Sequence, residues 1–258
     1  MNSFIMILFI LTGIAVAIYS IYKIRKRQKE WQQFASNHGF LYSRNVGIAE
    51  VPVEVAQAKG ETALTGLANV IRTTVANSGS RLKYDTRWIP ESYSEHHLFR
   101  EGHSRKVSNL CQGIEKDLKI LAFDYQYTTG SGKNSQTHYL TPLIIESNLV
   151  FKPLIIRPEN VFDKIGAAVG FDDIDFESAE FSKKYYVKCD DKKFAYDIIH
   201  ARMMEFLLEC RNMNLEAQNN SILFHQGKIL AISEVELLLI AAKKFVELTP
   251  DYVRKEYS

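Results

Sequence analysis

Cysteine is scarce: Cys111, Cys189 and Cys210 are the three in 258 residues, and no two form a CxxC pair. An odd, scattered set excludes a disulfide framework and fits a reducing compartment. The chain also lacks a charge excess of either sign, with a formal net charge of +2. That balance is uneven, because Lys23, Arg25, Lys26, Arg27 and Lys29 face Glu30 alone in the first thirty residues and leave the remainder slightly acidic. A slightly acidic body lacks the basic face that general nucleic-acid binding requires, so no nucleic-acid partner is expected. No Gly-x-Ser-x-Gly elbow and no HExxH pair occurs, which removes the common local signatures of a serine hydrolase and a zinc protease.

What is present begins near the N-terminus. Phe4 to Tyr22 carries no charge, and only Thr12, Gly13 and Ser20 interrupt an apolar or aromatic run. Nineteen helical residues rise about 28 Å, close to the roughly 30 Å hydrocarbon core of a bilayer. The expectation is a transmembrane anchor over residues 1–22, contacting the lipid bilayer through residues 4–22. Ala15-Val16-Ala17 has the small-x-small form of a signal-peptidase site. Against cleavage stand an uncharged leader before Phe4 and the basic cluster after Tyr22, which the positive-inside rule holds in the cytoplasm. The expected topology is single-pass in the cell (inner) membrane, with a short N-terminus outside and the body cytoplasmic. Tyr19, Tyr22 and Trp31 would then sit near the cytoplasmic headgroups. The cluster Lys23, Arg25, Lys26, Arg27 and Lys29 would set topology or hold anionic lipid headgroups. Trp31, Phe34, Ala35 and His38 recur at helical spacing before Gly39, so residues 23–39 read as a basic juxtamembrane helix.

Residues 40–258 read as a soluble α+β domain, best defined over 98–248. Leu64, Leu67, Ala68, Ile71 and Val75 fit a helical stripe. Strands are expected around Val107 to Ile114, from Leu118 to Thr128, from Gln136 to Ser147 and from Leu149 to Ile156, an antiparallel β-meander. Arg157-Pro158-Glu159-Asn160 suits a helix start that stops at Gly170. A strand over Lys183 to Cys189 follows, then a helix capped by Asp190 that carries Phe194, Ile198, Met203, Phe206, Leu207 and Cys210. A hairpin around Gly227 and a last helix to Leu248, opened by Ser233 with Glu236, complete the outline.

The ordered set Leu98-Phe99-Arg100-Glu101-Gly102-His103, Gln112-Gly113, Phe123-Asp124-Tyr125 with Thr129-Gly130-Ser131-Gly132-Lys133, Arg157-Pro158-Glu159, Asp173-Ile174-Asp175-Phe176 and Phe181-Ser182 resembles one group. It is similar to a family of uncharacterised bacterial membrane proteins with N-terminal transmembrane segments and a cytoplasmic domain of unknown function. The resemblance spans Leu98 to Leu248 and implies a bacterial, membrane-anchored protein. It brings no activity, substrate or catalytic residue with it.

Three stretches invite chemistry. Gly130-Ser131-Gly132-Lys133 fails as a P-loop, since Tyr127 stands where the first glycine belongs, Asn134 replaces Ser or Thr, and a hairpin supplies no helix N-terminus for phosphate. His96, His97 and His103 beside Glu95 and Glu101 match no zinc spacing. Asp172, Asp173, Asp175, Glu177 and Glu180 offer oxygen ligands without EF-hand order, and the interleaved Phe171, Ile174, Phe176 and Phe181 suggest a loop docked by its apolar side. His138 reads as a cross-strand neighbour. No catalytic residue, metal ligand or cofactor is assigned. The sequence therefore favours a membrane-anchored cytoplasmic interaction or scaffold module. The alternatives are a peripheral sensor of anionic lipid and a membrane-tethered enzyme whose site is assembled from distant residues.

Overall fold

A single helix, α1, takes in Ser3–His38 without interruption. Gly39 ends it at φ +65°, a conformation that costs a residue without Cβ little. The Phe40 amide donates to the Ala35 carbonyl (2.7 Å) and the Gly39 amide to that of Ser36 (3.3 Å), the paired bonds of a Schellman stop. The computed structural model describes residues 3–45, 93–159, 174, 176–210 and 212–256. The expected helix around Leu64 to Val75 and the run between Asn160 and Gly170 lie outside these residues.

After the stop, β1 (Leu41–Asn45) pairs antiparallel with β2 (His103–Glu115), and the short α2 (His97–Arg100) precedes β2. β3 (Leu118–Thr129) and β4 (Gln136–Leu140) form the expected hairpin around residues 130–135, and β5 (Leu143–Pro158) follows. Then come α3 (Ala179–Lys184), β6 (Tyr185–Cys189), α4 (Lys192–Ile198), α5 (Ala201–Glu209), β7 (Asn214–His225), α6 (Ile232–Leu248) and α7 (Asp251–Glu256). Among the described residues one seven-stranded sheet results, in the order β1-β2-β3-β5-β6, with β4 on β3 and β7 on β5. The class is α+β with an antiparallel sheet.

The expected boundaries shift in several places. Thr141-Pro142 breaks the Gln136 to Ser147 strand, and β5 then runs through the expected break at Asn148, where its pairing with β7 is irregular from Glu146 to Phe151 before Leu154 to Ile156 pair again. Pro158 closes β5 opposite Tyr185 and does not open a helix there; at a strand end its missing N–H costs no ladder bond. Gly227 turns β7 into α6, so no hairpin forms. The long helix expected after Asp190 is two: Asp191 caps α4 by accepting from the Phe194 amide (3.0 Å), and the chain leaves helical geometry at Ile199 before α5. α6 is capped at Ala231, whose amide donates to Glu234 (2.7 Å). Alanine has no oxygen to return the bond, so Glu234 alone does the work expected of Ser233 and Glu236.

Each face of the sheet has its own core. One buries Trp31, Phe34 and Ala35 of α1 with Ile120, Ala122, Leu143, Ile145 and the inner sides of α3 to α6. The other packs Tyr93, Leu98 and Phe99 over Leu121, Phe123, Tyr125, Ile144 and Leu223. The period-2 alternation of β3 and β5 feeds both. Phe40, buried at the foot of α1, lies over Gly113, where any Cβ would overlap its ring. Gly113→Ala is expected to lower stability by about 1–3 kcal/mol, read from the urea unfolding midpoint; an unchanged midpoint would mean that Phe40 moves aside freely.

Candidate functional site at the helix and sheet junction

Arg27 and Trp31 are one helical turn apart and share a face of α1. That face meets β3 at Asp124, which follows Ile120 and Ala122 on the same side of the strand. The Asp124 carboxylate accepts from Arg27 Nη2 (2.7 Å) and Nε (3.1 Å), Trp31 Nε1 (3.1 Å), Asn109 Nδ2 (2.9 Å) and Thr141 Oγ1 (3.1 Å). Arg27 Nη1 donates to the Leu230 carbonyl (2.7 Å), and its guanidinium lies 5.2 Å from the Trp31 ring centre. Asn109 adopts φ +53° at the bulge between Ser108 and Cys111, a conformation asparagine tolerates. Its side-chain carbonyl receives the Tyr42 hydroxyl (2.8 Å). Burial pushes Tyr42 up to about 12. Burial, then the charge of Asp124, pushes the nearby Cys111 thiol up to about 12, which leaves no reactive thiolate at neutral pH. With five donors on one carboxylate, the cluster is saturated. Its chemistry is fastening.

The basic stretch is thereby divided. Lys23, Arg25, Lys26 and Lys29 are exposed, as are Tyr19 and Tyr22, and Lys26 meets Glu30 only at 4.0 Å. Arg27 is committed to Asp124, with 18% of its side chain exposed. Trp31 is 0% exposed, so it belongs to the core and cannot reach the headgroup layer expected for it. The signal for this role was its spacing to Phe34, Ala35 and His38, which marks a packed face. Asp124 stood in the Phe123-Asp124-Tyr125 motif of the resemblance, which gave it no role.

On the opposite face, Glu146 accepts from the Tyr93 hydroxyl and from Lys119 (3.1 Å). Beside it an open depression of about 420 Å³ is lined by Ile114, Asp117, Lys119, Glu146, Ser147, Asn148 and Asn220. Ser221 lies across from Glu146 in the ladder, and its hydroxyl meets His96 Nε2 at 2.8 Å. Glu216 stands 3.8 Å from His96 Nδ1 and accepts the α2 amides of His97 (2.5 Å) and Leu98 (3.2 Å). This is not an ion pair at neutral pH, since burial lowers His96 to about 4 and raises Glu216. A serine, histidine and glutamate in sequence suggest a hydrolytic relay. However, Ser221 and His96 are each 2% exposed, and Glu216 is spent on the start of α2.

A pH dependence follows from His96. The unfolded chain takes a proton near pH 6.5 that the folded chain refuses until about pH 4, so stability is full above pH 6.5 and falls on acidification. The loss attributable to His96 is on the order of 3 kcal/mol by pH 4. Glu216 titrates with the opposite sign, its raised value weakening the fold as pH rises. The comparison is therefore wild type against His96→Gln across urea titrations from pH 7 to pH 4. Parallel curves would remove the assignment.

The remaining candidates stay apart. His97 pairs with Glu101 (3.2 Å), His103 meets the Gly130 carbonyl (3.0 Å), and His138 stacks on its cross-strand partner Tyr127 at 4.7 Å. Among the described residues, no group of three or more His, Cys, Asp or Glu could hold a metal ion. Ile174, Phe176 and Phe181 are buried, as the docked-loop reading requires; Phe171, Asp172, Asp173 and Asp175 lie outside the described residues.

Among the described residues no helix is long and apolar enough to cross a membrane. The run Phe4 to Tyr22 includes Phe4, Ile5 and Leu8, whose side chains lie outside that set. No family model and no curated protein matches the chain. Among solved structures, the chain is similar to the mycobacterial trehalose monomycolate transport factor A, TtfA, at 11% identity and a TM-score of 0.47, over 86% of this chain and 93% of that one. At that level the likeness assigns neither family nor function.

Proposed function

We propose that this chain is a membrane-anchored interaction or scaffold module, held in the cell inner membrane by the first half of α1 with its body in the cytoplasm. The carrying observation is the division of one unbroken helix. Where their side chains are described, residues 6–26 are exposed, with Phe9 at 71% and Val16 at 65%, whereas Trp31, Phe34 and Ala35 lie in the core. Exposed apolar side chains around a whole helix are costly in water and favourable in lipid. The polar interruptions fit the same solvent, because Thr12 donates to the Phe9 carbonyl (2.9 Å) and Ser20 to that of Val16 (2.8 Å). Neither the Thr12 nor the Ser20 hydroxyl proton then needs water. Lys23, Arg25, Lys26 and Lys29 flank it on the body side, which supports a cytoplasmic body.

A recognition role is favoured over chemistry by how the buried polar groups are used. Asp124, Glu146 and Glu216 each accept from groups of this chain. Reporter fusions at Ser258 test the topology: a cytoplasmic reporter should be active and a periplasmic one silent, and the reverse pattern overturns the placement. Photo-crosslinking from exposed body positions in the full chain tests recognition. A discrete partner supports it, and clean failure across positions counts against it.

A further inference from the structure

The anchor and the body are joined without a linker, and this sets how far the body stands from the bilayer. The apolar run ends at Tyr22, and the first residue built into the body is Arg27, about 7.5 Å further along the helix. The polar layer of a leaflet is itself about 5–7.5 Å deep. Contacts along α1 give the direction. His38 approaches Glu115 (3.9 Å), which faces Leu118; the Trp31 carbonyl meets Cys111 Sγ (3.6 Å), which faces Ala122; and Arg27 meets Asp124. Moving toward the membrane along α1 is thus moving from residue 118 toward residue 129 along β3. The sheet end reached this way carries the β3–β4 hairpin, the C-terminal end of β1, and the turn before α6. That turn is clipped to the Arg27 level by Thr141 N to the Lys228 carbonyl (3.0 Å) and Leu230 N to Thr141 Oγ1 (3.1 Å).

That end is basic. Arg44, Lys106, Lys133 and Lys228 are exposed there, beside exposed Ile229 (42%) and Tyr139 (56%). Of the nearby acids, Glu234 is paired with Lys228 (2.7 Å) and Glu101 is tied to Tyr127 (3.0 Å) and His97. The far end of the sheet is mixed, with Lys119 matched to Glu146 and Lys243 to Glu115.

We propose that this sheet end, around Arg44, Lys106, Lys133, Lys228 and Ile229, is a membrane-seating surface that rests on anionic lipid headgroups around the root of α1. The proposal rests on the anchoring reading. Its chemistry is that of exposed cations near an anionic surface, at about 1 kcal/mol each for Arg44, Lys106 and Lys133, while Lys228 is shared with Glu234 and Ile229 and Tyr139 sit at the interface. The consequence is a body held flush against the bilayer, so that partners are met from the far end and the helical edges.

The test uses the full chain in nanodiscs of phosphatidylcholine and phosphatidylglycerol, in a Cys210→Ser background. A single environment-sensitive fluorophore is placed at Ile229→Cys, Asp117→Cys or Val16→Cys. Lipids carrying a spin label on the headgroup should quench Ile229→Cys several-fold more than Asp117→Cys, and acyl-chain labels should quench Val16→Cys. Equal, solvent-like behaviour at Ile229→Cys and Asp117→Cys, with Val16→Cys still quenched, overturns the seating and leaves the anchor standing. Loss of quenching at Val16→Cys overturns the anchor and the seating together. A fluorophore at Ile229→Cys that is shielded from aqueous quencher yet untouched by headgroup labels assigns the surface to a second copy, and also overturns the proposal.

Discussion

Asp124→Ala should destabilise the full chain by about 3–5 kcal/mol, seen as a lowered guanidinium midpoint in detergent micelles. The size follows from what the carboxylate leaves behind. Arg27 keeps a charge on a side chain 18% exposed, with Nη1 on the Leu230 carbonyl and no counter-charge. Trp31 Nε1 and Asn109 Nδ2 lose an acceptor at the same time, and an orphaned buried donor costs about 1–3 kcal/mol. The loss should also be local. Hydrogen exchange in residues 27–38 should rise before that of β5 and β7, since the variant unfastens α1 while the rest of the core is untouched. The double variant Arg27→Met with Asp124→Leu should recover part of the loss, because it removes the unpaired charge but not the orphaned indole and amide. A single-variant effect below about 1 kcal/mol would show that the cluster behaves as a surface ion pair and that α1 is held by its apolar face alone.

Trp31→Ala should cost about 3–5 kcal/mol. The indole is 0% exposed, packs edge-on against Phe34 at 5.6 Å, and lies under the Arg27 guanidinium. Trp31→Phe separates the contributions: it keeps much of the ring volume and forfeits the bond to Asp124, for about 1 kcal/mol from that bond plus the smaller void. The same pair of variants decides between two roles for this tryptophan. An interfacial anchor would change partition into vesicles and leave unfolding unaffected. A core residue changes the unfolding midpoint and leaves insertion of the Phe4 to Tyr22 run unaffected, and the second result is expected.

Local rules made much of this legible beforehand. The helix to His38 and its stop at Gly39 follow from spacing and from one residue free to take positive φ. The β3–β4 hairpin and α6 follow from alternation and helical periodicity, with ends misplaced by a few residues because caps compete locally. Other features depend on partners distant in sequence. β5 pairs with β7 across 59 to 81 residues of chain, and the Thr141 amide before it goes to the Lys228 carbonyl in the turn before α6. The break between α4 and α5 comes at Ile199-His200, where His200 reaches the Leu248 carbonyl (3.0 Å). The candidate site was the least legible part: Asp124 stood only within the Phe123-Asp124-Tyr125 motif, His96 only in a histidine cluster that matches no zinc spacing, and Glu216 and Ser221 carried no reading.

By itself, the sequence determined an uncharged apolar stretch from Phe4 to Tyr22, a basic flank on one side of it, and an α+β body with both helical and strand periodicities. These are properties of short windows, where side-chain spacing alone sets which face is apolar. Tertiary structure decided which residues of the flank the fold uses. Folding brings Asp124, Asn109, Thr141 and Leu230 to one turn of α1, 82 to 203 residues from Arg27 in the chain. Because Arg27 and Trp31 are drawn into that cluster, the basic stretch is part exposed flank and part structural fastening. No window of sequence could assign that division, since it depends on which distant acceptors the sheet brings within hydrogen-bonding distance.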